Sequence, residues 1–415
     1  MKTYLIIMIL AFQCLLCIGQ GKSTTGGIFL SDVTNAESVG FLRQKVYQLN
    51  TLTHDLPFIE KMEFRTETND FDFRKQEYVF RLSPNSLKNI KTQRQYQETV
   101  RYMTEMELEA ALGNALKKRY DLLVDYIFLK DVLEIRKKQE VLLNDKVTLL
   151  KRSISLPNFN VLDLIESEDK AQKNMRDILD LENSILTIEK TIQRMQGSNE
   201  PIEIDEDKLT DIADLKRILS GLSPVVDSKH PELEVYSARL YNQMLEYEWE
   251  SARTRFSVGY LQAKYGYDPN DNFKNSFSIG VGFDIPLKSS SRLDLNDLQL
   301  QVLESESRFK NLKEELRDES YSAYNRLQNL ISKYELVLSQ LEEGQAEYAL
   351  KEYRKIAEAS PKALLTMREN TLNLELLAKE LQFEIMQSFI KYLDAKGLIS
   401  QRPFINYLSK DLEQL

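Results

Sequence analysis

Residues 78–88 read YVFRLSPNSLK and residues 280–290 read GVGFDIPLKSS, each passing from an alternating pattern through a proline into helical periodicity. Pro84 and Pro286 stand 202 residues apart. Further on, KRSISLPNFNVLDLIE (151–166) faces YRKIAEASPKALLTMRE (353–369), where Arg152 and Arg354 keep the same 202-residue step. The turn prolines beyond them, Pro157 and Pro361, differ by 204, so the turns themselves are not identical. One spacing found twice, about 68 residues apart, requires equal helices between the two points and reads as an internal duplication.

Outward from these joints each half parses alike. An amphipathic helix (about 36–55; 230–255) precedes two strands (about 58–66 and 73–83; 256–267 and 275–285). A very long helix follows (about 85–151; 288–355), then a turn with proline and a return helix (about 160–196; 362–396). Gly197 and Gly397 punctuate the ends, as C-terminal caps do. The long helices hold no proline and one glycine each, Gly113 and Gly344. Apolar residues recur at three- and four-residue steps: Leu112, Leu116, Tyr120, Leu123 and Ile127, then Leu327, Ile331, Tyr334, Leu338 and Leu341. Such a helix extends roughly 100 Å, a rod no compact globular domain needs. A coiled coil without a membrane part is the alternative, which the N-terminus and the strand pairs oppose.

In SFSIGVGFDI (276–285), Phe277, Ile279, Val281, Phe283 and Ile285 alternate strictly with Ser276, Ser278, Gly280, Gly282 and Asp284. That is the pattern and length of a tilted strand crossing a bilayer, with the five apolar residues on the lipid face. Tyr260, Tyr265 and Tyr267 in the partner strand suit an interfacial aromatic girdle. A soluble hairpin with one buried face fits this stretch alone equally well. Two hairpins cannot close a barrel, however, and lipid does not tolerate open edges, so several copies must pool their strands. The first hairpin, EKMEFRTETNDFDFRKQEYVFR (60–81), is heavily charged, and on the proline spacing Arg81 falls opposite Phe283. A bulge or shifted register would turn Tyr78, Phe80 and Leu82 outward instead.

Lys2 and the apolar run from Tyr4 to Ile18 read as an export leader cut after Gly19. The run is too short and too poorly flanked for a transmembrane helix. Both cysteines, Cys14 and Cys17, lie within it; a lipidated Cys17 is the other reading, but the residues before it are bulky. The mature chain then has no cysteine, enters an oxidising compartment without disulfides, and is held by packing and assembly. Its net charge moves from -9 to -10. An acidic, evenly mixed surface excludes nucleic acid as a partner, which needs basic patches.

The second half carries His230-Pro231-Glu232-Leu233, Ala252-Arg253, Tyr265-Gly266, Gly280-Val281 and Pro286-Leu287, in that order. With the duplication, this series resembles the TolC-type outer-membrane efflux proteins over nearly the whole mature chain. A strand-opening proline common in the family is missing near Ser257 but kept as Pro57. NVLDLIES (160–167) is similar to the family's Asp-Val-Leu-Asp turn, with Asn160 in place of the first Asp. The resemblance implies an α+β membrane protein: a homotrimer whose four strands per protomer form one shared 12-stranded β-barrel, with a long α-helical barrel across the periplasm. It implies outer-membrane lipid around the barrel. At the helical tips it implies a periplasmic adaptor (membrane fusion) protein that couples the duct to an inner-membrane pump. The docking tip would comprise Arg152, Ser153, Asn158 and Asp163 from the first half, and Tyr353, Arg354, Ser360 and Lys362 from the second. Simple solvation and helix capping, with Asn158 and Ser360 as N-caps, is the alternative reading of the same residues. The acidic rings that narrow the family's tunnel are replaced by Lys362 and Leu365, so an acidic, cation-sensitive gate is not expected.

The organisation expected is a leader (1–19), a first repeat (20–197), a connector (198–229), a second repeat (230–397) and a C-terminal segment (398–415). Catalysis, cofactor and metal are not expected. The two histidines, His54 and His230, are far apart, and no phosphate loop, nucleophile elbow or Cys/His metal spacing occurs. EIDED (203–207) reads as solvated connector and Trp249 as packing. The function expected is an exit duct for efflux or secretion. Its rival is a non-transporting envelope protein that keeps the helices without a working pore, and the charged first hairpin is what favours that rival.

Overall fold

A computed structural model describes residues 24–51, 57–68, 76–155, 159–198, 202–204, 209–223, 225, 230–253, 257–267, 275–284, 290–342, 352 and 360–415. The leader, both cysteines, His54, Asn158, Gly344, Tyr353, Arg354, Ile285 and Pro286 lie outside these residues.

In chain order the elements are β1 (Thr24–Thr25), α1 (Gly26–Ser31), α2 (Glu37–Thr51), β2 (Ile59–Thr68) and β3 (Gln76–Pro84). Next come α3 (Leu87–Arg152), α4 (Val161–Gln196), β4 (Ile202–Glu203), α5 (Ile212–Ser220) and α6 (Pro231–Arg253). The last four are β5 (Ser257–Tyr267), β6 (Asn275–Asp284), α7 (Ser290–Glu342) and α8 (Pro361–Ala395). Two compact units divide the chain differently from its repeats. One gathers the residues up to Val39 with Ala111–Asp227 and Leu316–Leu415; the other holds Gly40–Ala110 and Ser228–Glu315. Each therefore draws on both halves.

The first unit is a helical core. Leu112, Leu116, Tyr120 and Leu123 of α3 are buried, as their periodicity requires. Phe128 of α3 stacks on Phe383 of α8 with ring centroids 4.1 Å apart. Gly197 and Gly397 adopt positive φ (64° and 73°) and end α4 and α8, the backbone geometry that favours glycine there. The N-terminal segment is anchored by Arg119, only 1% exposed, which donates to the carbonyls of Phe29 and Asp32 and stacks on the Phe29 ring. The C-terminal segment is held by the Tyr120 hydroxyl, which donates to the Ile405 carbonyl (2.6 Å) and accepts from the Tyr407 amide (3.2 Å). Beside it Gly113 faces Ser400 so closely that a Cβ there would lie 1.7 Å from the serine Oγ. The connector contributes to this core as well: Glu203 pairs in a short parallel strand with Thr25, and Ile212, Leu215 and Leu219 of α5 are buried.

Three helices of this unit meet at a charge cluster in which Lys146 is buried, Glu369 half-buried and Lys170 exposed. Glu369 (α8) accepts from Lys146 (α3) at 2.6 Å and from Lys170 (α4) at 3.1 Å. Burial alone would raise the Glu369 carboxyl, but the bonds from Lys146 and Lys170 outweigh it and hold the group below the usual glutamate value.

The second unit contains one antiparallel four-stranded sheet in the order β2-β3-β5-β6. Pro84 ends β3, the Asn85 amide donates to the Phe58 carbonyl (2.7 Å), and the Ser86 hydroxyl accepts from the Asn89 amide (3.2 Å) to open α3. His230 is buried and its Nδ1 accepts from the Glu232 amide (3.2 Å), so this histidine caps α6. Trp249 is half-buried on the same helix.

Candidate functional site

The register of the sheet corrects one expectation. Each hairpin carries a bulge in its first strand, between Ile59 and Lys61 and between Val258 and Tyr260, a step of 199 residues. On that step Arg81 corresponds to Gly280, not to Phe283, while Tyr78, Phe80 and Leu82 correspond to Phe277, Ile279 and Val281. The proline spacing of 202 differs from it by three, an odd number, and an odd slip exchanges the faces of a strand.

With the register in place the sheet has two unlike faces. Directly paired residues share a face, which gives the rows Thr66–Tyr78–Tyr265–Phe277, Phe64–Phe80–Ala263–Ile279 and Met62–Leu82–Leu261–Val281. These twelve positions hold one hydroxyl-bearing aliphatic residue and otherwise aromatic or apolar ones. The face is open: Ile279 is 75% exposed, Phe277 67% and Phe64 65%. Rings run along it, Phe64 to Tyr78 (6.2 Å) and Tyr78 to Tyr265 (6.4 Å). So broad an exposed apolar band marks a surface that meets another apolar phase or partner. Val281 and Phe283 are exposed on the same face.

The opposite face takes the charges. Its rows are Glu63–Arg81–Gln262–Gly280, Arg65–Val79–Lys264–Ser278 and Glu67–Glu77–Gly266–Ser276. Arg65 pairs with Glu63 (3.2 Å) and Glu67 (3.3 Å), and Lys264 with Glu77 (2.5 Å). The charged first hairpin is thus amphipathic in register with the second, which removes the ground for reading it as a failed membrane strand. The four strands have 10, 9, 11 and 10 residues, the length of tilted bilayer strands. Among the described residues β2 and β6 have no outer strand partner, so both edges of the sheet are unpaired.

The tip residues fall as follows. Arg152 is the last residue of α3 and is exposed; the Ser153 amide and hydroxyl both donate to the Leu149 carbonyl (3.1 and 2.9 Å). Asp163, in the first turn of α4, pairs with Lys362 in the first turn of α8, so one residue from each half meets here. Ser360 stands at the N-cap of α8 but makes no side-chain cap bond; Pro361 follows it at the first helical position. The cap of α4 is Asn160, whose Oδ1 accepts from the Leu162 amide (3.1 Å), rather than the expected Asn158, because the helix opens at Val161. A feature missed in the sequence is the exposed apolar cluster Val161, Leu162 and Ile165 beside that cap. Its signal was present in NVLDLIE, where three apolar residues crowd a first turn that solvent alone would not select.

No family model and no curated protein sequence matches the chain. Solved structures do match. VceC, an outer membrane protein of Vibrio cholerae, superposes with a TM-score of 0.64 at 14% identity, covering 90% of this chain and 96% of its own. The Campylobacter jejuni outer membrane channel CmeC gives 0.62 at 13% identity over 91% of this chain and 89% of its own. The open state of the Neisseria gonorrhoeae outer membrane channel MtrE gives 0.61 at 10% identity over 89% and 88%. The chain has the fold of the TolC-type outer-membrane channels, mostly helical with four antiparallel strands per protomer.

Proposed function

We propose that this protein is the outer-membrane exit duct of a tripartite efflux or secretion system, working as a homotrimer. The observation that carries the reading is the two-faced sheet with unpaired edges. Its apolar rows suit outer-membrane lipid, its charged rows suit an aqueous lumen, and its edges require strands from further copies. Among the described residues no helix is long and apolar enough to cross a membrane. Three copies supply twelve strands to one barrel, and the helices continue it as a tunnel through the periplasm.

Transport through such a duct is passive, and the energy comes from an inner-membrane pump. The tip around Arg152, Ser153, Asp163, Ser360 and Lys362, with Asn158, Tyr353 and Arg354 beside them in the sequence, is the docking surface for a periplasmic adaptor. Val161, Leu162 and Ile165 give that surface the apolar centre a protein interface needs.

Planar-bilayer recording of the purified protein tests the duct: discrete conductance steps are expected, and a folded oligomer silent under every opening condition overturns the reading. Site-specific crosslinking from position 152 or 354 tests the tip. An adaptor captured from both positions supports docking, and capture of outer-membrane proteins alone refutes it.

A further inference from the structure

Among the described side chains on the inner face of the sheet, one charge is left over after the others have been matched. Lys61 and Arg65 face Glu63 and Glu67, and Lys264 faces Glu77. Among the described residues Arg81 has no carboxylate partner. Glu63, directly opposite it on β2, is taken up by Arg65 at 3.2 Å and Lys61 at 3.9 Å.

The guanidinium of Arg81 is nonetheless held in place. Its Nε donates to Gln262 Oε1 at 2.6 Å, and its plane lies over the Tyr260 ring, 4.8 Å from the centroid. Tyr260 in turn occupies the space above Gly282, where a Cβ would come within 2.2 Å of the ring. The glycine seats the tyrosine, the tyrosine orients the arginine, and the two terminal nitrogens of the arginine have no acceptor among the described residues. A half-buried arginine whose guanidinium is fixed along its Nε edge, with its terminal fork uncommitted among the described residues, is the arrangement that takes an oxyanion in two parallel hydrogen bonds.

We propose that Arg81, oriented by Gln262, Tyr260 and Gly282, is a lumenal binding site for the carboxylate or phosphate group of anionic cargo. The proposal rests on the duct reading, since only there does this face line a pore. In an oligomer the fork repeats once per protomer near the helix end of the sheet, and a ring of such charges favours anions in transit. The matched pairs around it contribute no net charge of their own.

The test uses the full-length protein in planar bilayers under a salt gradient, with inorganic pyrophosphate and succinate as blocking probes. In the wild type one or both probes block, and the stronger blocker identifies phosphoryl or carboxylate recognition. R81Q should weaken block about tenfold or more and lower the anion preference. Y260F keeps the ring and should match the wild type, whereas Y260A frees the guanidinium and should weaken block without removing the charge. Equal block in R81Q and wild type overturns the site, as does a conducting wild type that neither probe blocks. If the wild type does not conduct, the duct reading has failed, and equilibrium titration of pyrophosphate into wild type and R81Q then decides the oxyanion site alone. Binding lost in R81Q upholds the site, and binding unchanged rejects it.

Discussion

Replacing Gly113 by alanine should change sign in its effect on stability according to what stands at position 400. A Cβ on residue 113 would lie 1.7 Å from Ser400 Oγ, 2.7 Å from its Cβ and 3.1 Å from its Cα. Rotating the hydroxyl removes the first clash but not the second, so α3 or the C-terminal turn must shift. Overpacking of this kind costs about 1–3 kcal/mol, while alanine in place of glycine within a helix returns about 1 kcal/mol. In the native background G113A should therefore be destabilising by up to about 2 kcal/mol. In an S400G background only the Cα neighbour remains, a few tenths of an ångström too close, and the helix preference wins. There G113A should stabilise by up to about 1 kcal/mol. Urea unfolding of the full-length protein, followed by circular dichroism across the four variants, gives the coupling directly. Trypsin susceptibility near the C-terminus should rise in G113A alone. A shift of the same sign in both backgrounds would refute the close packing of α3 against the C-terminal turn.

Other outcomes follow from the same structure. I279R, which puts a charge on the apolar face of β6, should cost about 2–4 kcal/mol of insertion near mid-bilayer and shift the protein from the membrane to the soluble fraction. G282V should unseat Tyr260 and reproduce the weakened anion block of Y260A, read in the same bilayers. E369Q leaves Lys146 buried without its counter-charge and should lose about 3 kcal/mol at neutral pH. Because the folded Glu369 carboxyl titrates below its unfolded value, its contribution is complete above the ordinary glutamate range and disappears as pH falls through the folded value. The urea midpoint of the wild type should therefore fall more steeply than that of E369Q as pH drops below the ordinary glutamate range. Y120F leaves the Ile405 carbonyl and Tyr407 amide without their shared partner, for a loss of about 1–3 kcal/mol seen as faster hydrogen exchange of the C-terminal segment.

The long helices were legible because their signal is redundant. Dozens of residues repeat one period, and Gly197 and Gly397 mark ends that the backbone then uses at positive φ. Strand positions were legible to within a few residues, but their register was not. Prolines mark where a strand must end but do not fix its register: Pro84 lies within β3, and the bulges of the two hairpins stand 199 residues apart where the prolines stand 202 apart. Aligning on prolines therefore placed Arg81 on the wrong face, although each bulge sits in the same place in both hairpins. The tip was half legible: the sequence brings Asp163 and Lys362 to matching turns, but their meeting depends on how two distant helices pack. The Arg81 site was not legible at all, since it needs a tyrosine over a glycine on one strand pair and an arginine from a third strand.

The division of the molecule into two compact units, each assembled from both repeats, bears on how the chain must be made. A duplicated protein ordinarily offers two self-sufficient halves, the first able to finish folding while the second is still being synthesised. Here the earlier copy emerges with its packing surfaces incomplete, since α3 waits for α8 and β3 waits for β5. Tyr120 must stay unsatisfied until residues 405 and 407 arrive, nearly the whole length of the chain later. Half-made molecules therefore expose unpaired strands and helix faces until the second half is complete, and wherever the chain folds they must be kept apart from one another.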